Sequence, residues 1–211
     1  MSFPNWQLHP ETIFRASPVI PVLVIKNIEQ ALPLAKALFA GGIKILEVTL
    51  RSEVALNAVN LLTDTFPDAL IGVGTVANAT QLHDAIRVGA KFAISPGHTD
   101  ALLTEAKQSP IPLIPGIATV SELMTGLDLG YSHFKFFPAA AAGGIPMLRS
   151  IYSPFPEARF CPTGGINEEN YLDYLKLPNV VCVGGSWIVP ENAIQAGNWS
   201  LIRDLCLAVQ K

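Results

Sequence analysis

Cysteine, charge and long apolar runs are all scarce in this sequence. Only three of its 211 residues are cysteine, and they stand far apart at Cys161, Cys182 and Cys206. This spacing fits neither a metal site nor a disulfide framework, so we expect small buried side chains in a reducing compartment. No apolar run approaches the roughly 20 residues of a membrane span. The N-terminus also lacks the pattern of a signal peptide. We therefore expect a cytoplasmic protein with no membrane partner.

The low charge narrows the choice of partners further. Charged residues make up 15 % of the sequence and the formal net charge is −3, whereas about 25 % is usual in soluble domains. A basic field that would attract nucleic acid is therefore not expected, and a small molecule is the expected partner. Half of the residues are apolar, which favours a large core, a surface hidden in an oligomer, or both. The length suits a single domain over residues 1–211.

Short runs rich in Val and Ile alternate with longer amphipathic stretches, which is typical of βα units around a parallel sheet. The runs lie at residues 19–25, 44–50, 70–76, 92–95, 112–115, 133–137, 159–162 and 180–183. Helical patterns follow these runs. Three of them, at residues 27–40, 52–65 and 119–129, have clear helix-ending signals. Eight such units predict a (β/α)8 TIM barrel, with the first fifteen residues forming a helix that covers the barrel floor. A doubly wound open sheet is the alternative on pattern alone.

Polar residues occupy positions where a barrel interior should be apolar. Side chains alternate faces along a strand, so Glu47, Thr49 and Arg51 point inward if the apolar residues between them face the helices. The same alternation directs Lys135 inward. A purely structural ion pair is one explanation, but burying each charge costs several kcal/mol. The pair favours Schiff-base chemistry instead, in which a desolvated neutral amine attacks a carbonyl while Glu47 moves protons.

Two glycine pairs follow the seventh and eighth predicted strands: Gly164 with Gly165, and Gly184 with Gly185, the latter preceding Ser186. Many barrels bind phosphate at these two strand ends through backbone N–H groups, and glycine permits the close approach. Either pair alone could form a simple turn. Their occurrence at both strands predicts a phosphate site.

Two further residues at strand ends are candidates for substrate contact. Pro96 lies at the predicted rim, where it would line the pocket, and Thr163 lies between the glycine pairs and the lysine, where it would contact sugar hydroxyls. The four histidines are far apart and lack the spacing of metal ligands. We therefore expect no metal and no other cofactor.

Together these motifs resemble the 2-keto-3-deoxy-6-phosphogluconate (KDPG) aldolases, which often also act as 4-hydroxy-2-oxoglutarate (KHG) aldolases. The resembling segments are residues 45–51 (ILEVTLR), 72–76 (GVGTV), 134–139 (FKFFPA), 160–166 (FCPTGGI) and 183–187 (VGGSW). The resemblance runs from about residue 18 to the end of the chain. It implies a metal-free lyase of the Entner–Doudoroff pathway, usually a homotrimer.

The resemblance also implies roles for individual residues. Lys135 would form an imine with pyruvate, Glu47 would be the general acid/base, and Arg51 with Thr75 would hold the pyruvate carboxylate. The phosphate site would comprise Gly164, Gly165, Gly184, Gly185 and Ser186. One position departs from the family pattern, because Ala140 stands where an acidic residue is often found. Ala140 cannot supply that carboxylate in this chain.

Two other functions stay open at this point. A metal-free phosphosugar isomerase could use the same phosphate site, with an acid/base pair but no imine. The other is a non-catalytic ligand-binding barrel. Burying Lys135 and Glu47 costs free energy, however, and ligand binding alone does not require that cost. The relative activity on the KDPG and KHG substrates is likewise left open by the sequence.

Overall fold

Eight parallel strands form a closed barrel in the computed structural model, which describes residues 3–210. The strand segments are β1 (Val19–Leu23), β2 (Ile45–Thr49), β3 (Leu70–Gly74), β4 (Ala93–Ile94), β5 (Leu113–Ile114), β6 (Gly116–Ile117), β7 (His133–Phe136), β8 (Arg159–Pro162) and β9 (Val183–Gly185). β5 and β6 are two halves of one strand, interrupted at Pro115, which has no N–H to donate to a neighbour.

The strand order closes the sheet on itself. One set of segments runs β5-β4-β3-β2-β1-β9 and the other runs β6-β7-β8. Parallel bridges of Phe160 with Val180 and of Thr163 with Gly184 join β8 to the β9 strand. Because β5 and β6 belong to one strand, the two sets form a complete circle, as the eight βα units predict.

Helices surround the barrel. They are α1 (Pro10–Phe14), α2 (Ala31–Ala40), α3 (Ala55–Thr65), α4 (Ala79–Arg87), α5 (Asp100–Gln108), α6 (Val120–Asp128), α7 (Gly144–Tyr152), α8 (Tyr171–Leu175), α9 (Glu191–Gln195) and α10 (Trp199–Ala208), with a 3-10 turn (Ile28–Gln30) before α2. Thr119 and Glu122 form a capping box that starts α6. In the part of the chain that the structure describes, no helix is long and apolar enough to cross a membrane.

Alternation along the strands separates two apolar layers, as the sequence predicts. Leu46, Val48, Phe134 and Phe136 pack in the layer between the strands and the helices. The inner layer fills the barrel below the site and consists of Ile13, Phe14, Ile20, Ile45, Phe92, Ile94, Ile114, Cys161 and Cys182. All three cysteines are buried and free, which confirms their interpretation as small core residues.

The helix that closes the barrel floor is shorter than predicted. Only Pro10–Phe14 is helical, so the prediction of a helix over the first fifteen residues is wrong in extent, and residues 1 and 2 lie outside the described part. The helix starts where the His9 side chain accepts from the Glu11 N–H, with Pro10 in the first turn. Phe14 inserts into the inner layer. Trp6 instead packs outside the barrel, where its Nε1 donates to the Ala106 carbonyl at 2.8 Å.

Two other boundaries differ from the sequence prediction. The last strand is Val183–Gly185 rather than 180–183, because its pairing with β1 begins at Val19 opposite Val183. α3 begins at Ala55 rather than at Ser52. The Ser52 hydroxyl donates to the Ile25 carbonyl, so it links the loop after β2 to the segment that follows β1 instead of capping the helix.

Candidate active site

A cavity of about 800 Å³ lies at the carboxyl ends of the strands, the end at which TIM barrels carry their active sites. Nine of the predicted site residues line it: Arg51, Thr75, Pro96, Lys135, Thr163, Gly164, Gly165, Gly184 and Ser186. Glu47 lies directly beneath the cavity, within hydrogen-bond distance of Lys135. Gly185 does not line the cavity. Its Cβ position points at the ring of Trp187, so its predicted part in phosphate binding stays a prediction.

Lys135 and Glu47 meet at the bottom of the cavity from opposite walls of the barrel. Lys135 is on β7 and Glu47 on β2, and Nζ lies 3.0 Å from Oε1. Their side chains are only 8 % and 2 % exposed, respectively. Nζ also lies 5.6 Å from the centroid of the Phe137 ring, at the distance of a cation–π contact. An amine and a carboxylate are thus held together away from bulk water, in position to exchange a proton.

Glycines in β3 provide the room for this pair. A Cβ atom at Gly74 would lie 2.2 Å from Oε1 of Glu47, and one at Gly72 would lie 2.4 Å from the ring of Phe92. Neither contact is sterically possible. β3 must therefore lack side chains at both positions for the carboxylate and the phenyl ring beneath it to occupy the barrel centre.

Arg51 and Thr75 stand together at the edge of the cavity, after β2 and β3. The Arg51 Nε donates to Oγ1 of Thr49 at 3.1 Å, and that hydroxyl donates to the Leu23 carbonyl at 2.7 Å. Thr75 has a φ of 63°, an uncommon backbone conformation for a β-branched residue and one that tends to occur at functional sites. A cation and a hydroxyl therefore line the same cavity as Lys135.

The glycines after β8 form a turn that only glycine adopts readily. Gly164 and Gly165 have φ values of 98° and 76°. The loop after β7 supports this turn, because the Ala140 N–H donates to the Gly164 carbonyl at 3.0 Å. A Cβ at Gly165 would lie 2.4 Å from that of Ala140. Ala140, the departure from the family pattern, thus packs behind the glycine turn.

Thr163 has a buried hydroxyl that faces the cavity. Its side chain occupies the space left by Gly184, where a Cβ would lie 2.1 Å from Oγ1. Among residues 3–210, Oγ1 has no hydrogen-bond partner. Buried hydroxyls are nearly always paired, so this one is available to a ligand.

Sequence reasoning missed the polar residues at the cavity mouth. Lys26 and Glu191 form an ion pair at 2.5 Å with both side chains 61 % exposed, and both line the cavity together with Asn27, Gln30 and Gln195. Gln195 also donates to Glu191 at 2.9 Å. Their position just beyond the first and last strands is the signal that could have identified them.

Two of the buried cysteines have thiols with raised pKa values. Burial raises the pKa of the Cys182 thiol, with a contribution from neighbouring Cys161, and raises that of Cys206 to about 12. Such thiols stay protonated and are poor nucleophiles. Within residues 3–210, no group of three or more His, Cys, Asp or Glu side chains is arranged to hold a metal ion.

Comparisons with known proteins agree with this geometry. The family model for KDPG and KHG aldolases matches residues 11–205. A 2-dehydro-3-deoxy-phosphogluconate aldolase of Pseudoalteromonas atlantica is 55 % identical over 201 residues, covering 95 % of this chain and 94 % of that protein. The KHG/KDPG aldolase of Escherichia coli is 53 % identical with the same coverage.

A crystal structure of KDPG aldolase from Legionella pneumophila, with pyruvate captured as a covalent carbinolamine intermediate, superposes with a TM-score of 0.97. It is 65 % identical and covers 98 % of this chain and 100 % of its own. The fold, the paired Lys135 and Glu47 in the barrel and the matches along the chain lead to one conclusion. This chain belongs to the KDPG and KHG aldolase family, whose members are lyases.

Proposed function

We propose that this aldolase cleaves 2-dehydro-3-deoxy-6-phosphogluconate to pyruvate and glyceraldehyde 3-phosphate through an imine on Lys135, and cleaves 4-hydroxy-2-oxoglutarate to pyruvate and glyoxylate. The observation that carries the proposal is the buried contact of 3.0 Å between Lys135 Nζ and Glu47 Oε1. A proton passed across it leaves a neutral amine, which is the form that attacks a carbonyl. The covalent pyruvate adduct described for the Legionella pneumophila enzyme supports the same chemistry.

The reaction follows from this pair. Lys135 adds to the keto carbon C2 of the substrate, and loss of water gives a protonated imine. The carboxylate of Glu47 accepts the proton of the C4 hydroxyl, and the C3–C4 bond breaks with its electrons drawn toward the iminium nitrogen. The aldehyde leaves, Glu47 returns the proton to C3 of the enamine, and hydrolysis of the imine releases pyruvate.

The lining residues supply binding along the substrate. In this proposal Arg51 and Thr75 hold the carboxylate next to C2, and Pro96 lines the pocket. Thr163 contacts the sugar hydroxyls, which fits the unpaired state of its Oγ1 among the described residues. The phosphate binds between the glycine turn of Gly164 and Gly165 and the end of the last strand, at Gly184, Gly185 and Ser186, where backbone N–H groups can face an anion.

A homotrimer in the cytoplasm is part of the same proposal. The low charge of the sequence and exposed apolar side chains one turn apart on α6, Val120 and Met124, support an interface between copies. The three free cysteines support a reducing compartment. Light scattering should give the mass of three chains, and the mass of one chain would overturn this part of the proposal.

The direct test is release of pyruvate from each substrate, followed with lactate dehydrogenase and NADH in the presence of EDTA. Pyruvate should appear from both, with Lys135→Met inactive on both. A phosphosugar isomerase or a binding protein would release none. Absence of pyruvate from both substrates in a folded preparation would refute the proposed function.

A further inference from the structure

We infer that Thr49 is a positioning residue, whose hydroxyl fixes the guanidinium of Arg51 in the orientation that receives the substrate carboxylate. The inference deepens the proposed function and rests on it, because it takes Arg51 to be the residue that binds the carboxylate. Thr49 lines the same cavity, and the role inferred for it is indirect, through Arg51.

The direction of each hydrogen bond around Thr49 is unambiguous. The Leu23 carbonyl can only accept, so the Thr49 hydroxyl gives it its one proton over 2.7 Å. The Arg51 Nε can only donate, so it must use a lone pair of the same oxygen over 3.1 Å. The bond to Leu23 in β1 therefore fixes the direction of the lone pair on the Thr49 oxygen. That lone pair accepts from Arg51 and orients its side chain.

The two residues differ in their contact with solvent. Both line the cavity, but Thr49 is only 1 % exposed, whereas Arg51 is exposed. Among residues 3–210 the bond to Thr49 is the only hydrogen bond of the Arg51 side chain, and the two terminal nitrogens have no partner there. Their outer edge is thus left for a carboxylate, which arginine contacts through two parallel N–H bonds.

An arginine side chain has several rotatable bonds, and ordering it on binding reduces affinity. A hydroxyl held rigid by a buried strand removes part of that penalty before the substrate arrives. The alternative is that Thr49 merely satisfies the Leu23 carbonyl. Ser52 makes the same kind of bond, from its hydroxyl to the Ile25 carbonyl at 2.5 Å, without contacting an arginine. Ser52→Ala is therefore a matched control for a lost hydroxyl-to-carbonyl bond near the end of β1.

The test uses Thr49→Val, which keeps the shape and strand preference of threonine but removes the hydroxyl. In the addition direction, with saturating glyceraldehyde 3-phosphate, the KM for pyruvate should rise about 10-fold while kcat changes less than about threefold. Thr49→Ser should restore the parent KM to within about twofold, and Ser52→Ala should leave it unchanged. Circular dichroism checks folding, and Thr49→Ala replaces Thr49→Val if that variant does not fold.

Three results would overturn the inference. One is a parent-like KM in a folded variant without the hydroxyl. The second is a loss confined to kcat, and the third is a rise in KM in Thr49→Ser and Ser52→Ala equal to that in the variant without the hydroxyl. Either of the last two would mark a structural role. A failure of the proposed function looks different, because the parent itself would then yield no reduced adduct with pyruvate and borohydride.

Discussion

Gly74 leaves the space that the carboxylate of Glu47 occupies: a Cβ on Gly74 would lie 2.2 Å from Oε1. The two residues are on neighbouring strands, β3 and β2, whose register places Thr49 beside Gly74 and Glu47 beside Gly72. The glycines of β3 therefore set the position of Glu47, the proposed acid/base group, and through it the contact with Lys135. The GVGTV segment, one of those that carry the family resemblance, thus has a steric role in the barrel wall.

Gly74→Ala should displace Glu47 from Lys135 and lower kcat by roughly 100-fold or more, since acid/base catalysis depends on hydrogen-bond distance. The matched control is Gly97→Ala, at the same end of the barrel, because a Cβ there would meet nothing within 4 Å. Steady-state turnover of both variants, with thermal unfolding to verify the fold, checks this prediction. Parent-like turnover in a folded Gly74→Ala would contradict it.

Glu47→Gln removes the proton acceptor while keeping the size of the side chain. Turnover should fall by roughly two to four orders of magnitude, the usual contribution of a positioned general base, while the fold and imine formation survive. Glu105→Gln serves as the control, because Glu105 pairs with His83 on the surface. Single-turnover trapping and steady-state kinetics separate the two steps. If Glu47→Gln turns over at the parent rate, Glu47 has no part in the mechanism.

Ser186→Ala should discriminate between the two substrates. Ser186 lines the cavity together with the glycine turn. In the proposed binding mode, only the phosphorylated substrate is long enough to place an anion there. A hydrogen bond to a charged group is worth about 1.5 to 3 kcal/mol, so kcat/KM for that substrate should fall by about 10- to 100-fold. For 4-hydroxy-2-oxoglutarate the loss should stay below about threefold. Equal losses on both would mean that the phosphate binds elsewhere.

Lowering the pH should destabilise the fold through His133 and Glu11 at the barrel floor. Their Nε2 and Oε2 atoms lie 2.7 Å apart. Burial lowers the pKa of His133 below its ordinary 6.5 by more than Glu11 raises it. Burial would raise the pKa of Glu11, but hydrogen bonds from His133 and Arg15 lower it below 4.5 by more.

Both pKa values are lower in the folded state, so the unfolded chain binds these protons more tightly. The free energy of unfolding therefore decreases as the pH is lowered. The loss should begin below about pH 6.5 for His133 and below about pH 4.5 for Glu11. Urea unfolding of the parent and of His133→Gln at several pH values is the measurement. The stability difference between them should shrink from about pH 7.5 to about pH 5. A difference independent of pH would contradict the assignment.

Strand periodicity predicted the βα units and the inward direction of the polar side chains, but on its own it left a doubly wound sheet as the alternative to the barrel. Alternation depends on backbone geometry alone, so Glu47, Arg51 and Lys135 could be placed on the inner face before any contact was known. The lengths of strands and of α1 depend on pairing partners and caps. That is why the last strand begins at Val183 and the floor helix is limited to Pro10–Phe14.

Contacts between distant segments could not be predicted in the same way. The ion pair of Lys26 with Glu191 joins residues 165 positions apart. The hydrogen bond from Thr49 to Leu23 depends on the register between β2 and β1. Neither leaves a periodic signal. Sequence pattern indicates which face a residue occupies, whereas the closure of the barrel decides what it touches there.

The most direct test of the central claim is the site of covalent attachment. Incubation with pyruvate and borohydride, followed by peptide mapping by mass spectrometry, should place one reduced pyruvyl group on Lys135. The exposed Lys176, paired with Asp173 on the surface, should stay unmodified in the same digest and serves as the internal control. The adduct should be absent from Lys135→Met. An unmodified Lys135, or labelling spread over surface lysines, would contradict the account.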